Sequence, residues 1–394
     1  QFILNIINNI IHFFAKNNNV FLLNCYFGRW REIFLNLRLM QLPYLNATQL
    51  PLKNYVYNHK LRENLIKKFK KKNDLKFVKI CKNMIIKYMP KSYLEAFEEN
   101  MNNVSKLALP NKPKLIVTSS NYNTNDSFKF WLMKNIRSGS RFYSFQHGAG
   151  YLSIKYKWWG DITDIVDIFF AWGKKEKLLN FKTIGYSRFI SKRLPSKTKI
   201  KKYILLVSKE NERKYQLWDV EEENYFFFKK NEDLLSHLPK EILKKTYTRL
   251  HPVDNFNIEI KKKLNFFFKK SNIISTDIEY NKIIKRTKLF IFNYDATDFY
   301  QNIYYNIPSI LYLPLGFENI RASAINDFKK LYNAGIIFTD PKTLSDKIIH
   351  IDENVDFWWQ EKKVQNAINS FSKKYCIKNK KFMTDIFKIV EKFN

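Results

Sequence analysis

Hydrophobic residues change their spacing along the chain, and each spacing predicts a different kind of structure. Over the first 105 residues, apolar positions recur three and four residues apart, which predicts amphipathic helices. The clearest examples are Phe2–Phe14, Trp30–Met40 and Leu61–Ile86. Short apolar runs then alternate with helical stretches, and Leu344–Phe393 returns to helical spacing. The pattern therefore indicates an α/β region with helices before and after it.

The first α/β series predicts a parallel sheet. Leu115–Thr118 is a short apolar run that ends in polar residues, as expected of a buried strand. Phe128–Ile136 has helical spacing, and Phe142–Phe145 and Ile168–Trp172 are the next predicted strands. Strands and helices in alternation are typical of parallel sheets.

A second α/β series follows Ser191–Lys202, a basic, polar stretch whose Pro195 supports its prediction as a linker. Five predicted strands alternate with helices beyond it, which is typical of a doubly wound sheet. The predicted strands are Tyr203–Val207, Thr246–Leu250, Ile273–Ser275, Leu289–Phe292 and Ser309–Leu313. The predicted helices are Asp254–Lys269, Ile278–Arg286 and Thr297–Tyr305.

We therefore predict an α/β fold of the GT-B type, in which two Rossmann-like domains face a cleft, with a helical N-terminal region and C-terminal helices. The first domain, with the helical N-terminal part, would comprise residues 1–195 and the second residues 196–345. The helices of residues 346–394 would pack back across the domains. Ligands of such sheets bind beyond the carboxyl ends of the strands, so polar motifs there are the candidates for function.

Composition and charge narrow the class of protein. The chain has 394 residues, of which 45% are hydrophobic, enough to form a core and to exclude a disordered or collagen-like protein. Lys and Arg number 69 and Asp and Glu 36, a net charge of +33. We attribute most of this excess to AT-rich codon usage, which favours Lys, and still expect the surface to attract anions. Basic runs such as Lys67–Lys72 are interpreted as solvated helix faces.

The cysteines and the absence of targeting signals predict a cytoplasmic protein. Cys25, Cys81 and Cys376 are far apart and fit no metal-binding spacing, so neither a disulfide framework nor a structural zinc is expected. Gln1–Phe14 lacks the basic start and the cleavage site of a signal peptide. No apolar window is long enough to span a membrane. A peripheral contact with the cytoplasmic face of the inner membrane is a further expectation.

Polar groups follow the first predicted strand of the first series. Ser119, Ser120 and Asn121 come directly after it, and Asp126 stands before the next helix. Hydroxyl, amide and carboxylate groups at a strand end suit hydrogen bonding to a polyhydroxylated ligand. The alternative is an ordinary helix cap, in which Asp126 accepts bonds from backbone N–H groups. The two interpretations are compatible.

A second motif, Gln146–Tyr151, comes directly after the strand Phe142–Phe145. Its glycines, Gly148 and Gly150, allow a ligand to approach the backbone closely. His147 is a candidate general base or phosphate partner, and the alternative is a hydrogen-bonded structural histidine. Gln146, Gly148 and Tyr151 are candidate ligand contacts. Asp161 and Asp164, downstream, are candidate catalytic carboxylates.

The second α/β series carries an anion-binding pattern. Arg249, His251 and Pro252 end a strand and precede a helix, whose N-terminal dipole favours anions. Asn293, Asp295 and Thr297 end another strand, and Ser208 and Lys209 end the first strand of the same series. The alternative at each place is a polar turn that only caps a helix. The dinucleotide-binding and P-loop glycine motifs are absent from the sequence, so oxidoreductases and P-loop NTPases are disfavoured.

These motifs resemble those of bacterial surface-carbohydrate transferases. Arg249–Pro252 resembles the His-Pro motif of bacterial sialyltransferases and capsule Kdo transferases, which in those GT-B enzymes contacts the phosphate of a CMP-activated sugar acid. A closer resemblance, to a group of surface-carbohydrate transferases, covers about Asn24 to Phe371. It rests on Ser119–Lys129, Gln146–Leu152, Trp172-Gly173, Tyr294–Ile310 and Trp358-Trp359. The chain departs from the pattern at Ala149, Leu152, Asp295, Asp298 and Gln301.

The resemblance implies a glycosyltransferase that moves a 3-deoxy-ulosonic or nonulosonic acid, such as Kdo, pseudaminic acid or a sialic-acid-like sugar, from a CMP-sugar to a polysaccharide or glycolipid acceptor. Several relatives retain the anomeric configuration. Residues 1–195 would bind the acceptor and residues 196–345 the donor.

In such a reaction the cations Arg249 and His251 would neutralise the departing phosphate. No metal or other cofactor is expected when cations do this. Asp126, or else Asp161 or Asp164, would act as base or nucleophile, and His147 would orient or deprotonate the acceptor.

Two other classes remain open. A GT-B enzyme that uses a UDP-sugar or a GDP-sugar would share the same architecture. A nucleic-acid-binding protein would account for the charge, but the sequence shows none of its usual motifs, and no nucleic-acid partner is expected. A non-catalytic scaffold is a further alternative.

Overall fold

Short apolar runs form strands and periodic segments form helices in the computed structural model of the protein. The described residues are 2–45, 55–71, 73–155, 162–174, 180–188, 202–208, 221–249, 272–275, 278 and 280–394. The chain divides into two units. The first contains Gln1–Phe145, Ile165–Ile168 and Met383–Asn394, and the second contains Gln146–Asp164 and Phe169–Phe382. The division at residues 195 and 345 stays a prediction.

Helices occupy both ends of the chain and alternate with strands between them. In chain order they are α1 (Phe2–Ala15), α2 (Arg29–Arg38), α3 (His59–Phe69), α4 (Lys76–Tyr88), α5 (Phe97–Asn103), α6 (Asn121–Thr124), α7 (Asp126–Arg137), α8 (Ile162–Ile165), α9 (Glu221–Ser236), α10 (Lys240–Lys244), α11 (Tyr280–Ile284), α12 (Thr297–Tyr305), α13 (Ala322–Asn333), α14 (Pro341–Ile351), α15 (Val355–Gln360), α16 (Lys362–Tyr375) and α17 (Phe382–Val390). Their starts follow local chemistry. The Asn58 side chain caps α3 by accepting from the Leu61 N–H, and Asp340 caps α14 in the same way.

The strands form two sheets. They are β1 (Val20–Leu22), β2 (Leu115–Val117), β3 (Arg141–Phe145), β4 (Ile168–Ala171), β5 (Phe181–Thr183), β6 (Tyr203–Val207), β7 (Thr246–Arg249), β8 (Ile273–Ile274), β9 (Thr287–Phe292), β10 (Ser309–Tyr312) and β11 (Ile337–Phe338). One sheet has the order β1-β2-β3-β4-β5 and the other β11-β10-β9-β6-β7-β8. Every strand pair whose register is described is parallel.

Burial explains why these strands consist of nearly unbroken apolar runs. β2 is buried along its whole length, as is β10, and only the first residue of β6 is partly exposed. Parallel sheets have both faces covered, so their strands do not alternate between apolar and polar residues. The predicted α/β class with parallel sheets, a helical N-terminal region and C-terminal helices is confirmed.

The structure also corrects the predicted elements. Leu61–Ile86 was expected to be helical throughout, but Lys70 has an extended backbone and separates α3 from α4. The strands β1, β5 and β11 were not predicted, and β1 lies within the first 105 residues, which were expected to be helical. The bounds of β6 and α12 agree with the prediction. The predicted helix Asp254–Lys269 and all of the predicted linker except Lys202 lie outside the described residues.

A buried ion pair holds α3 against the end of α4. The Arg62 guanidinium lies 2.6 Å from the Glu95 carboxylate, and both side chains are almost fully buried. Arg62 also donates hydrogen bonds to the carbonyl oxygens of Ile86 and Met89, at 2.7 and 2.9 Å. The hydrogen bond from Arg62 lowers the pKa of Glu95 to about 2. The pair thus ties α3 to the segment that follows α4, and the two hydrogen bonds to carbonyl oxygens join α3 to the end of α4.

Candidate functional site

Three strand ends meet at one edge of the six-stranded sheet. Val207, the last residue of β6, is in register with Arg249 of β7 on one side and with Phe292 of β9 on the other. Ser208, Arg249 and Asn293 therefore lie at the same edge. The chain runs from β6 outward to β7 and β8 and then returns to β9 on the other side of β6. This reversal is the topological switch point at which parallel α/β sheets bind ligands.

The polar groups that follow β6 and β9 hydrogen-bond to each other. The Ser208 hydroxyl oxygen accepts from the side-chain amides of Asn231 and Asn293, at 2.8 and 3.0 Å. All three side chains are buried. The cluster therefore joins α9 to the two central strands. Asn231 was missed by sequence reasoning because it lies inside a helix and belongs to no motif. The donor-binding roles of Ser208 and Asn293 stay predictions.

Arg249 brings a cation to this edge. One of its terminal nitrogens donates to the Ile278 carbonyl oxygen at 3.0 Å, and its guanidinium lies 6.0 Å from the centre of the Tyr280 ring. These contacts hold the guanidinium at the end of β7. The other predicted members of the anion site, Lys209, His251 and Pro252, lie outside the described residues.

The loop after β3 is shaped by its own side chains. The Gln146 amide donates to the Gly148 carbonyl oxygen at 2.8 Å, and its oxygen accepts from the Trp172 N–H at 3.0 Å. The His147 Nδ1 and the Tyr151 hydroxyl are 2.7 Å apart. His147 is thus hydrogen-bonded, as its structural interpretation expects. The catalytic role of His147 and the acceptor-binding roles of the other residues stay predictions.

This loop lies on the N-terminal end of α12. The Ala149 N–H donates to the Thr297 hydroxyl at 3.0 Å. A Cβ at Gly148 would be 3.2 Å from the same oxygen, so the glycine permits the close approach. Ser153 donates to the Asp295 carboxylate at 2.8 Å. The structure therefore brings together two motifs that the sequence separates by about 150 residues, one predicted to bind acceptor and one donor.

Asp295 is a partly buried residue whose carboxylate has unusual properties. Its Oδ2 accepts from Ser153 and from the Tyr300 hydroxyl, at 2.8 and 3.2 Å. Its Oδ1 is buried and has no hydrogen-bond partner in the part of the chain that the structure describes. Burial raises the pKa of Asp295 to about 6, although the hydrogen bonds from Ser153 and Tyr300 oppose this. A carboxyl group that titrates near neutral pH can accept or release a proton, so Asp295 is suited to acid–base chemistry as well as to ligand binding.

The first unit has its own polar cluster at the ends of β1 and β2. The Asn24 side-chain amide donates to Asn121 Oδ1 at 2.7 Å, and the Ser119 N–H donates to the Asn24 carbonyl oxygen at 3.0 Å. Ser119 Oγ and Asn121 Nδ2 are buried and lack a partner within the described ranges. Ser120, the third predicted contact, is partly exposed beside them. Sequence reasoning missed Asn24 because it missed β1.

Asp126 does not cap its helix, contrary to the alternative considered from the sequence. The cap of α7 is Asn125, whose side chain accepts from the Phe128 N–H at 2.9 Å. Asp126, one position later, accepts from the Tyr93 hydroxyl at 2.7 Å and from Lys129 at 2.8 Å. Burial acts to raise the pKa of Asp126, but these two hydrogen bonds outweigh it and lower the pKa. Asp126 is therefore a charged carboxylate at neutral pH.

The other two predicted catalytic carboxylates are Asp161 and Asp164. Asp164 is exposed on α8, and Asp161 lies outside the described residues. Across the described ranges, no three or more His, Cys, Asp or Glu side chains are grouped so that they could hold a metal ion. A metal-free reaction stays a prediction.

Fold and site together define an α/β protein that presents polar groups at the ends of parallel strands. Over residues 1–389 the sequence matches the model of the LIC12162 family transferases. The chain belongs to this family of transferases. No curated protein matches the sequence significantly.

Several solved structures are distantly similar to this chain. The wall teichoic acid polymerase TagF is 13% identical, with a TM-score of 0.41 over 71% of this chain and 72% of its own. WaaG, a glycosyltransferase involved in lipopolysaccharide biosynthesis, is 11% identical, with a TM-score of 0.37 over 75% of this chain and 95% of its own. MurG of Acinetobacter baumannii is 10% identical, with a TM-score of 0.41 over 76% and 78%. These similarities are too distant to bear on substrate or mechanism.

Proposed function

We propose that this transferase is a glycosyltransferase that moves a 3-deoxy-ulosonic or nonulosonic acid from a CMP-sugar to a surface-polysaccharide or glycolipid acceptor. Membership of a transferase family supports the reaction class. The choice of donor rests on the resemblance of Arg249–Pro252 to the His-Pro motif of CMP-sugar enzymes.

One observation carries the proposal: Arg249 lies at the switch-point edge of the six-stranded sheet, in register with the last residue of β6. A nucleotide bound at this edge would place its phosphate near a permanent cation. The cation would stabilise the negative charge that develops as the bond between sugar and phosphate breaks. Ser208 and Asn293 would contribute by holding in place the strand ends at which the nucleotide binds.

One carboxylate of the second unit, Asp295, suits the proton transfer of this reaction. The catalytic role of Asp126, in the first unit, stays a prediction. Asp295, whose pKa burial raises to about 6, would take the proton that the acceptor hydroxyl loses as it attacks the sugar. CMP leaves with the electron pair of the broken bond, and the proton ends on the carboxyl group.

Thermal unfolding with CMP, CDP, UDP and GDP tests the donor class. A nucleotide at 100 times its Kd stabilises the folded protein by about 2.7 kcal/mol, which is readily measured. We expect a shift selective for CMP that is lost in Arg249→Ala. Arg286→Ala is the matched control, because it removes the same charge from an exposed position just before β9.

Each other outcome has a definite meaning. A shift selective for UDP or GDP would replace the CMP-sugar by another donor. A CMP shift that Arg249→Ala leaves intact would remove Arg249 from the site. No shift with any nucleotide in a folded sample would overturn the proposal.

A further inference from the structure

Helix α4 exposes an apolar stripe. Phe77, Ile80, Met84 and Tyr88 are spaced by three, four and four residues, so they share one face of the helix. Their exposed fractions are 75%, 48%, 54% and 67%. The outward face of a surface helix normally carries polar residues, so this face is suited to contact with something apolar. We call these four residues the apolar stripe.

The stripe is a fixed feature of the first unit. The opposite side of α4 carries Ile86, which is buried, and Arg62 of α3 donates a hydrogen bond to its carbonyl oxygen at 2.7 Å. Arg62 also donates to the carbonyl oxygen of Met89, directly after the same end of α4, at 2.9 Å. Helix α4 is therefore packed on the first unit through its other side and still exposes the stripe.

Positive charge surrounds the stripe. Residues 59–88, which contain α3 and α4, include eleven Lys and Arg and only two acidic residues. One of the two, Asp74, is paired with Lys82 at 2.8 Å. Lys82 also donates to the Phe69 carbonyl oxygen at 3.2 Å and so ties the basic end of α3 to α4. Among the described residues, the exposed lysines of this hairpin are Lys60, Lys67, Lys68, Lys70, Lys71, Lys76 and Lys87.

The charge identifies the partner. A second copy of this chain would bring the same lysines into contact, and like charges repel. A nucleic acid would match the lysines but gain little from a row of apolar side chains. The surface of an anionic bilayer matches both, because apolar side chains enter the boundary between headgroups and acyl chains while lysines attract acidic headgroups. Tyr88 is also of a residue type that is enriched at membrane interfaces.

We propose that the α3–α4 hairpin docks the protein peripherally on a bilayer that contains anionic lipid, through the apolar stripe and the lysines at the end of α3. No helix in the described ranges combines the length and the hydropathy needed to cross a membrane. Docking through an amphipathic helix needs neither. The inference uses none of the candidate site residues and does not depend on the proposed function.

Co-sedimentation with vesicles tests the inference on the full chain. We expect binding to vesicles of phosphatidylcholine with one third phosphatidylglycerol, and at least tenfold weaker binding to phosphatidylcholine alone or at high salt. Phe77→Ser/Ile80→Ser/Met84→Ser and, separately, Lys70→Glu/Lys71→Glu should each weaken binding at least tenfold. Phe357→Ser and Lys362→Glu/Lys363→Glu are matched controls, since they change an exposed phenylalanine and two exposed lysines of the second unit.

Three results would overturn the inference. The first is a wild-type protein that does not bind the acidic vesicles. The second is a stripe variant, with the wild-type melting temperature, that binds them as well as the wild type. The third is a stripe variant that changes only a dimer seen by ultracentrifugation, or a lysine variant that changes only binding to a DNA duplex. Phe77→Ser alone provides a milder variant if the triple change prevents folding.

Discussion

Two clusters of buried polar side chains, one after β6 and β9 and one after β2, differ in how fully they are hydrogen-bonded within the described residues. After β6 and β9, the Ser208 hydroxyl oxygen accepts hydrogen bonds from Asn231 and Asn293. After β2, Ser119 Oγ and Asn121 Nδ2 are equally buried and have no partner within the described ranges. Buried polar groups in folded proteins nearly always find partners, so those that lack one are the first places to look for a ligand. The first cluster is satisfied within the protein, whereas the ligand-binding role predicted for the second stays a prediction.

Asp295 of the second unit provides the largest expected effect, because burial raises its pKa; its Oδ1, like the two atoms after β2, has no hydrogen-bond partner among the described residues. Its pKa is raised from the ordinary value of about 3.8 to about 6, so the folded state favours the protonated form. The stability that this preference contributes is fully present below about pH 4. As the pH rises through 6, the free energy of unfolding therefore falls by about 2 to 3 kcal/mol. We expect Asp295→Asn to remove this loss in guanidinium denaturation between pH 4 and 8.

Asp346→Asn, at an exposed carboxylate, is the control for that experiment. A wild type and an Asp295→Asn variant whose unfolding free energies run parallel over this pH range would contradict the raised pKa.

Asn293→Ala tests the satisfied cluster. The change leaves the buried Ser208 and Asn231 without one of their partners, and we expect the free energy of unfolding to fall by about 2 kcal/mol. Chemical denaturation measures it, with Asn111→Ala at an exposed position as the control. A loss no larger than that of the control would mean that the cluster does not serve the fold.

Gly148→Ala tests the contact between the loop and α12. The new Cβ would be 3.2 Å from Thr297 Oγ1, which also accepts the Ala149 N–H. We expect a loss of about 1 kcal/mol, since the strained hydrogen bond is worth roughly that much. In a Thr297→Ala background the same change should cost less, because the opposing oxygen is gone. Equal costs in the two backgrounds would show that the sites are not coupled.

Ser119→Ala has the smallest expected effect and tests the comparison most directly. Removing a hydroxyl that has no partner in the described part of the chain should change the free energy of unfolding by less than about 0.5 kcal/mol. The same substitution at Ser208 removes an acceptor of two hydrogen bonds and should cost about 1 kcal/mol. If Ser119→Ala is the more costly of the two in denaturation, the distinction between the clusters fails.

Local pattern was sufficient for much of the fold. The apolar run of β6 and the spacing of α12 predicted both elements with the observed bounds. The change from apolar to polar residues also located the loops after β2, β3 and β9, where the candidate residues lie. These features depend on a few neighbouring residues, and such short-range preferences are encoded where they act.

The two units differ in which of their site residues could be predicted from local sequence. In the second unit, Ser208 and Asn293 were predicted, but their partner Asn231 was not, because nothing in a helical pattern marks a side chain that meets a strand end. In the first unit, the missed strand β1 concealed Asn24, which contacts Asn121 across 97 residues of chain. On α4, helical spacing was visible, but spacing cannot distinguish an apolar face turned to the core from one turned outward.

The sequence by itself determined the class of fold, the position of most strands and helices, the excess of positive charge, and the polar motifs at the strand ends. The tertiary structure alone decided the reversal of strand order around β6, the seating of the Gly148 loop on α12, the burial that raises the pKa of Asp295, and the exposure of the apolar stripe. The reason is physical. Hydrophobic spacing acts over one or two turns of chain, whereas a hydrogen-bond partner or a pKa depends on which distant segments burial brings together.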